Sequence, residues 1–278
     1  MALCLTTAGA AAAAARSPSA AQSRMAAETA AGRPLVVHVV VALCDNQHQG
    51  IVPVPKALGN GQDPKSNLYW GARYGLKTFL VRDAGWRPVP CDAGLPEGML
   101  ERLVLTRQIA RPGGATAAAY LVAEAWDGRR IREAIGRFLE MAGGFRVQTW
   151  RVRSGGRAVA FRGGGAAHVV AFVGHNGLME FAAPEQPKPV AEAPPRSAIV
   201  LACKSQPYFD GLLRGAGASR LLLTTGFMAP EAYALNAALK SWLGGATAAQ
   251  CREAAAQAYH RYQKCGLPGA RRLFWTER

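Results

Sequence analysis

The chain has 278 residues, of which 50% are hydrophobic and 18% are charged, so it can bury a large core and is not a disordered protein. Its apolar runs are broken by Arg, Gly or Pro before they reach the roughly 18–20 residues of a membrane span, and we expect no such span. The net charge of +15 comes mostly from single arginines scattered along the chain, without a nucleic-acid-binding motif. We therefore predict no nucleic-acid partner.

The first 33 residues differ in composition from the rest of the chain. An apolar start leads into an alanine tract at Ala10–Ala15. The segment lacks the positively charged start of a secretion signal, and alanine is only weakly hydrophobic. We expect residues 1–33 to be a disordered tail on a cytoplasmic protein. The alternatives are a targeting segment for export, and translation that starts at Met25.

From Pro34 onward, strand and helix patterns alternate. The β-branched run Leu35–Leu43 is typical of a strand buried on both faces. After a loop rich in Gly and Pro, the spacing of apolar residues predicts a helix at about Asn67–Leu80. Further strands are predicted at Ala118–Trp126, His168–Val173, Ala198–Ala202 and Ser219–Thr225, and helices at Arg129–Ala142, Tyr208–Arg214, Pro230–Leu243 and Ala248–Lys264. This alternation predicts a single α/β domain over residues 34–278, a three-layer sandwich whose mostly parallel sheet has helices on both faces.

Two further pairs of short strands are predicted. Phe145–Val152 and Arg157–Phe161 flank Gly155-Gly156, which is a typical signal for a β-hairpin. Trp86–Cys91 and Leu103–Ile109 are predicted to form a hairpin-like insertion. A small β-hairpin is therefore expected beside the main sheet.

The cysteines are far apart and contain no Cys-x-x-Cys pair: Cys4, Cys44, Cys91, Cys203, Cys251 and Cys265. This spacing argues against a disulfide scaffold and against a clustered zinc site. Cys44 and His48 have a spacing that suits two metal ligands, but further ligands are missing nearby. We predict no metal and no cofactor.

The predicted strand ends bring reactive residue types together. His175 follows one core strand within Gly174-His175-Asn176-Gly177, and Cys203 follows the next. Consecutive strands in such sheets are usually neighbours, and ligands bind beyond the carboxyl ends of the strands. His38, by contrast, lies in the middle of a strand, where a core histidine is expected.

A histidine beside a cysteine is an arrangement that activates a thiol. The imidazole takes the thiol proton or stabilises the thiolate, which is the attacking species. The N–H groups of Gly177 and Cys203 are candidates for binding a developing oxyanion. The reaction class indicated is acyl transfer, most naturally amide hydrolysis.

Two segments carry a resemblance to a known group of enzymes. Val170–Gly177 (Val-Ala-Phe-Val-Gly-His-Asn-Gly) and Ala198–Ser205 (Ala-Ile-Val-Leu-Ala-Cys-Lys-Ser) resemble the catalytic pair of the caspase-like cysteine peptidases, nearest to the CHAT and metacaspase-type members. The order of elements from Leu35 to Lys264 is similar as well. The resemblance implies a caspase-like fold, with Cys203 as nucleophile and His175 as general base and acid. In this chain Asn176 separates the histidine from its glycine.

The same resemblance implies where a substrate binds. Asp45 ends the first strand, which in this group contributes to the pocket for the residue before the cut bond, and a carboxylate there favours Lys or Arg. Thr224 and Thr225 are predicted to line the same cleft. The alternative for Asp45 is that it caps a turn.

The function predicted is that of a cysteine endopeptidase-like hydrolase acting on a peptide or protein. One alternative is a non-catalytic caspase-like module that binds other proteins. Another is a small-molecule hydrolase or transferase that uses the same cysteine, although the chain has no Gly-x-Ser-x-Gly or Gly-x-Gly-x-x-Gly motif. The oligomeric state is left open.

Overall fold

The computed structural model describes residues 18–91, 93–185 and 188–277. Its strands are β1 (Leu35–Ala42), β2 (Arg87–Pro88), β3 (Met99–Ala110), β4 (Thr116–Trp126), β5 (Gln148–Ser154), β6 (Arg157–Gly163), β7 (Val169–Val173), β8 (Ser197–Leu201), β9 (Ser219–Thr224) and β10 (Phe274–Trp275). Its helices are α1 (Ala20–Ala30), α2 (Leu76–Arg82), α3 (Ile131–Ala142), α4 (Ser205–Gly215), α5 (Ala232–Leu243), α6 (Ala248–Gln263) and α7 (Leu267–Leu273).

The main sheet has eight strands in the order β10-β9-β8-β7-β1-β4-β3-β2. The five strands from β9 to β4 are parallel, and β10, β3 and β2 add antiparallel edges. Numbered along the chain, the parallel strands lie in the order 2-1-3-4-5, which is common among doubly wound sheets. The predicted α/β fold with a mostly parallel sheet is confirmed. In this order the direction of winding switches between β1 and β7, where ligand sites of such sheets typically form.

Two hydrophobic cores cover the two faces of the sheet. Residues of α2, α5 and α6 form the first core with alternate residues of the strands, and residues of α3 and α4 form the second. β1 is the centre of both, and all eight of its residues are buried. Within the described ranges, no helix is both long and apolar enough to cross a membrane.

The predicted hairpin around Gly155-Gly156 is confirmed. β5 and β6 pair antiparallel as a separate two-stranded sheet, and Ser154 pairs with Arg157. Both loop residues have positive φ, 57° and 77°, a conformation that glycine adopts without strain. The second predicted hairpin differs, because β2 and β3 belong to the main sheet. β3 pairs with β4 from Met99 to Ala110, and this long pairing holds both strands at the sheet edge.

The predicted helix at 67–80 begins only at Leu76. Asn67 explains the delay, because its side chain accepts a hydrogen bond from the Cys44 N–H at 3.0 Å and donates one to the Cys44 carbonyl at 2.8 Å. These bonds hold the chain in turns against the end of β1. Gly71 packs so closely that a Cβ atom there would lie 2.0 Å from the Lys65 carbonyl oxygen.

Part of the segment predicted as a tail is an ordered helix. α1 starts with a capping box between Ser19 and Gln22 and buries Met25 at 1% exposure. The Arg24 side chain donates to the carbonyl oxygens of Ala166, Ala167 and Pro195. The helix is therefore held by packing and by hydrogen bonds that composition does not reveal. Residues 1–17 of the predicted tail lie outside the described residues.

Candidate active site

β7 and β8 are adjacent and parallel, and they carry the two predicted catalytic residues beyond their carboxyl ends. Val173 pairs with Leu201, and the Gly174 N–H donates to the Leu201 carbonyl at 3.2 Å. His175 and Cys203 each follow two residues later. Val173 and Leu201 both belong to the core on the α5–α6 side, so the last residues of the two strands face the same side of the sheet. No strand lies between them.

The His175 ring is held by a carboxylate that sequence analysis did not single out. Nε2 of His175 makes a short contact with Oε1 of Glu180, which follows the single 3-10 turn Gly177–Met179. The same Oε1 accepts a hydrogen bond from the Gly50 N–H at 2.7 Å. Glu180 thus joins the histidine to the loop after β1. A glutamate five positions from a histidine is too common in sequences to identify this role.

The Cys203 sulfur lies at a turn between a strand and a helix. It is half-buried, and it contacts the Met228 N–H at 3.4 Å and the Met228 carbonyl at 3.5 Å. Lys204 adopts a left-handed conformation with φ of 48°, and its N–H donates to the Gly226 carbonyl at 2.8 Å. α4 begins at the following residue, so the sulfur lies near the helix N-terminus, whose partial positive charge favours anions.

Asn176 connects the two strand ends. Its side chain donates to the Cys203 carbonyl at 2.8 Å and accepts from the Leu178 N–H at 3.2 Å, and it is fully buried. The residue that separates the histidine from its glycine is therefore a clamp between the segments that follow β7 and β8. Gly177 packs so tightly that a Cβ atom there would lie 2.5 Å from the Phe181 ring.

The structure shows the hydrogen bonding of the predicted oxyanion donors and of the predicted His175–Cys203 dyad. The N–H groups of Gly177 and Cys203 donate to no acceptor among the described residues. Within the same residues, no hydrogen bond joins the His175 ring to the Cys203 sulfur, and Nδ1 of His175 has no hydrogen-bond partner. Catalytic hydrogen bonds often form only when substrate binds.

Asp45 has the environment of a turn cap. Its carboxylate is 2% exposed and accepts hydrogen bonds from the N–H groups of Gln47 at 2.9 Å and His48 at 3.2 Å. It also contacts Nδ1 of His48 at 2.9 Å and accepts from the Gln62 amide at 2.8 Å. Burial opposes ionisation, but these hydrogen bonds lower the pKa of Asp45 below its usual value. The carboxylate is thus occupied within its own loop, and its role in substrate binding stays a prediction.

The two threonines at the end of β9, Thr224 and Thr225, also form hydrogen bonds within the structure. The Thr224 hydroxyl is fully buried, contacts the Ala202 carbonyl, and lies 3.0 Å from the Ser205 hydroxyl. It therefore shapes the turn that holds Cys203. The exposed Thr225 donates to the Arg272 carbonyl at 2.7 Å. Their predicted place in a binding cleft stays a prediction.

The other described thiols have different environments. Cys44 and Cys251 are fully buried, and burial raises the pKa of each to about 11. Cys91 is half-buried and Cys265 is exposed. Cys4 lies outside the described residues. Among the described thiols, Cys203 is the one that combines partial exposure with a strand end beside a histidine.

The fold and this site together define the class of protein, which is a doubly wound α/β protein with a histidine and a cysteine at adjacent strand ends. No group of three or more His, Cys, Asp or Glu side chains suited to a metal ion occurs within residues 18–91, 93–185 and 188–277. No protein-family model, no curated protein and no solved structure matches the chain.

Proposed function

We propose that the chain is a cysteine peptidase-like hydrolase, similar in mechanism to the caspase-like peptidases, with Cys203 as nucleophile and His175 as general base and acid. The observation that supports this most is the direct parallel pairing of β7 with β8, with Val173 opposite Leu201. This pairing supports the proposal because adjacent strand ends carry His175 and the partly exposed Cys203 at the edge where doubly wound sheets bind ligands.

The proposed reaction uses groups at this edge. His175 takes the proton of the Cys203 thiol, and the sulfur attacks the carbonyl carbon of the scissile amide to form a C–S bond. The N–H groups of Cys203 and Gly177 stabilise the negative oxygen. The protonated imidazole then gives its proton to the leaving amine, and the C–N bond breaks. Water activated by His175 hydrolyses the thioester and restores the thiol.

In this mechanism Glu180 is the third participating side chain, beside Cys203 and His175. Its contact with Nε2 of His175 orients the ring and stabilises the imidazolium that forms when the thiol loses its proton. Nδ1 is left to receive the proton. The transfer requires Cys203 to exchange its Met228 contacts for the ring, which a substrate carbonyl seated over the sulfur would favour.

We propose a peptide or protein substrate with Lys or Arg before the cut bond, bound through Asp45. Since Asp45 is enclosed by Gln62 and His48, binding of a basic side chain requires these contacts to open. A panel of peptides with basic, neutral or acidic residues at that position tests this. We expect the basic peptides to be cleaved fastest, and a preference for acidic residues would reject the role of Asp45.

The test of the dyad is the rate of alkylation at each cysteine, followed by mass spectrometry after brief treatment with iodoacetamide. We expect Cys203 to react faster than the exposed Cys265, and the buried Cys44 and Cys251 to react slowest. His175→Ala should slow Cys203 by at least about tenfold. His260→Ala, a change of the same residue type on α6, should leave Cys203 unaffected.

Peptide cleavage then separates a hydrolase from a non-catalytic binding module of the same fold. Cys203→Ala should abolish cleavage, with a loss of at least about 1,000-fold in kcat/KM. Equal alkylation of Cys203 in the wild type and in His175→Ala, together with no cleavage, would reject the hydrolase and favour the binding module.

A further inference from the structure

A cavity of about 570 Å³ lies at the edge of the sheet remote from Cys203. Its walls are the β2–β3 edge and the tip of the β5–β6 hairpin. Three strands, β7, β1 and β4, separate β8 from β3 in the sheet. The volume falls within the range of about 300–1,000 Å³ that is typical of small-molecule sites. The cavity is therefore large enough for a ligand and separate from the candidate active site.

The lining of this cavity is strongly basic. Arg87, Arg107 and Arg153 contribute to it, and no acidic residue does. Among the described residues, none of these three arginines forms an ion pair, whereas Arg129, Arg130 and Arg137 on the segment after β4 all do. Three positive charges around one cavity without a carboxylate repel one another. An anion in the cavity would relieve that repulsion.

Strand pairing fixes where the backbone of these arginines lies. Arg87 pairs with Thr106 in the antiparallel register of β2 and β3, and the Arg107 guanidinium donates to the Ala84 carbonyl at 2.5 Å. Arg153 is held in β5 opposite Ala158, close to the tight turn of the hairpin. The Arg107 guanidinium is therefore pre-organised for a ligand, which lowers the entropy lost on binding, while the exposed side chains of Arg87 and Arg153 extend from fixed backbone positions.

The other polar groups of the lining indicate the kind of anion. The hydroxyl groups of Thr106 and Ser154 and the amide of Gln108 line the cavity together with the arginines. A guanidinium group matches the oxygens of a phosphate through two parallel N–H donors, and hydroxyl groups complete such sites as further donors. We propose that this cavity binds a small anion that carries two or more phosphate groups. The proposal does not depend on the proposed hydrolase.

The experiment is isothermal titration calorimetry of the full chain with inorganic tripolyphosphate at low and at physiological salt. We expect saturable binding that weakens as salt increases. The double variant Arg87→Gln, Arg153→Gln should weaken binding at least about tenfold. The control is the double variant Arg214→Gln, Arg272→Gln, which makes the same change in net charge at two exposed positions away from the cavity and should bind as the wild type does.

Three results would overturn the proposal. One is the absence of binding at low salt, and another is an equal loss in both double variants, which would show attraction by net charge alone. The third comes from a parallel titration with a single-stranded oligonucleotide. If the oligonucleotide binds through Arg87 and Arg153 while tripolyphosphate does not, the ligand is a nucleic acid and not a small phosphate. Circular dichroism of every variant checks that the fold is retained.

Discussion

The molecule contains two histidine–glutamate pairs whose surroundings differ. His38 in β1 faces Glu124 in β4, and the side chains are 1% and 0% exposed. His175 contacts Glu180 at the end of β7, where the glutamate is 36% exposed. The same two residue types thus occur once inside the sheet and once beyond the carboxyl end of a strand.

In the inner pair, Nδ1 of His38 and both carboxylate oxygens of Glu124 are hydrogen-bonded. Nδ1 of His38 accepts a hydrogen bond from the Gly164 N–H at 2.9 Å, and Nε2 lies 3.0 Å from Glu124 at an angle unsuited to a hydrogen bond. Glu124 accepts from Arg137 at 2.6 and 2.7 Å and from the indole of Trp126 at 3.2 Å. Burial opposes ionisation, but His38 and Arg137 hold the pKa of Glu124 well below its usual range.

The comparison teaches that chemistry depends on an unused donor or acceptor and on access, not on the residue pair alone. His38 has no unused nitrogen facing solvent, so it serves the core as predicted from its place within a strand. His175 has Nδ1 without a partner among the described residues, and a partly exposed thiol lies on the next strand. The following changes test this distinction, from the largest expected effect to the smallest.

The largest effect is expected for Glu124→Gln. The change leaves the partly buried Arg137 and the buried His38 beside a neutral amide, and loss of one partner of a buried ion pair costs about 3 kcal/mol of unfolding free energy. Urea unfolding followed by circular dichroism measures this. Glu180→Gln is the matched change in the other pair and should cost less than about 1 kcal/mol because that pair is partly solvated. Equal losses would show that the two pairs do not differ as described.

The effect of Glu124 should also depend on pH. Because the folded-state pKa lies below the ordinary value of 4.5, the ionised form stabilises the fold above about pH 4.5, and this stabilisation is lost as the pH falls toward the folded-state pKa. The difference in unfolding free energy between wild type and Glu124→Gln should therefore shrink when the pH is lowered from about 6 to 3. A difference that stays constant over this range would contradict the assignment.

Asn176→Ala tests the clamp between the segments that follow β7 and β8. It removes one buried and one partly buried hydrogen bond and leaves the Cys203 carbonyl without its side-chain donor, which should cost about 2 kcal/mol. The control is Asn60→Ala, since the Asn60 side chain accepts one exposed bond from the Gln62 N–H and should cost under about 1 kcal/mol. Thermal or urea unfolding compares them. A loss of unfolding free energy no greater than that of the control would show that Asn176 does not hold the two segments together.

The smallest effect is expected for Glu180→Gln on the rate at which Cys203 is alkylated. The amide keeps the size of the side chain and can still accept from Gly50, but it cannot stabilise an imidazolium. We expect alkylation of Cys203 at pH 7 to slow on the order of tenfold. Glu185→Gln makes the same charge change at an exposed position and should not alter the rate. Equal rates in both variants would show that Glu180 does not act through His175.

Local sequence patterns were sufficient to predict several elements. The β-branched run of β1 gave a strand buried on both faces, and Gly155-Gly156 gave the hairpin. They were insufficient where a distant contact competes with a local preference. Asn67 bonds to Cys44 and delays α2, and the packing of Met25 orders α1 in a segment that its alanine-rich composition marks as a tail.

The sequence by itself determined the α/β class and placed His175 and Cys203 at strand ends, because hydrophobic periodicity reports which strands are buried and where they stop. Only the tertiary structure decided what surrounds those residues. Glu180 reaches His175 through a single 3-10 turn, and Asn176 reaches Cys203 across the gap between strands. Likewise, Arg87, Arg107 and Arg153 are scattered in the sequence and meet around one cavity in the fold. Such groupings depend on the order and register of strands, which arise from contacts between residues far apart in the chain.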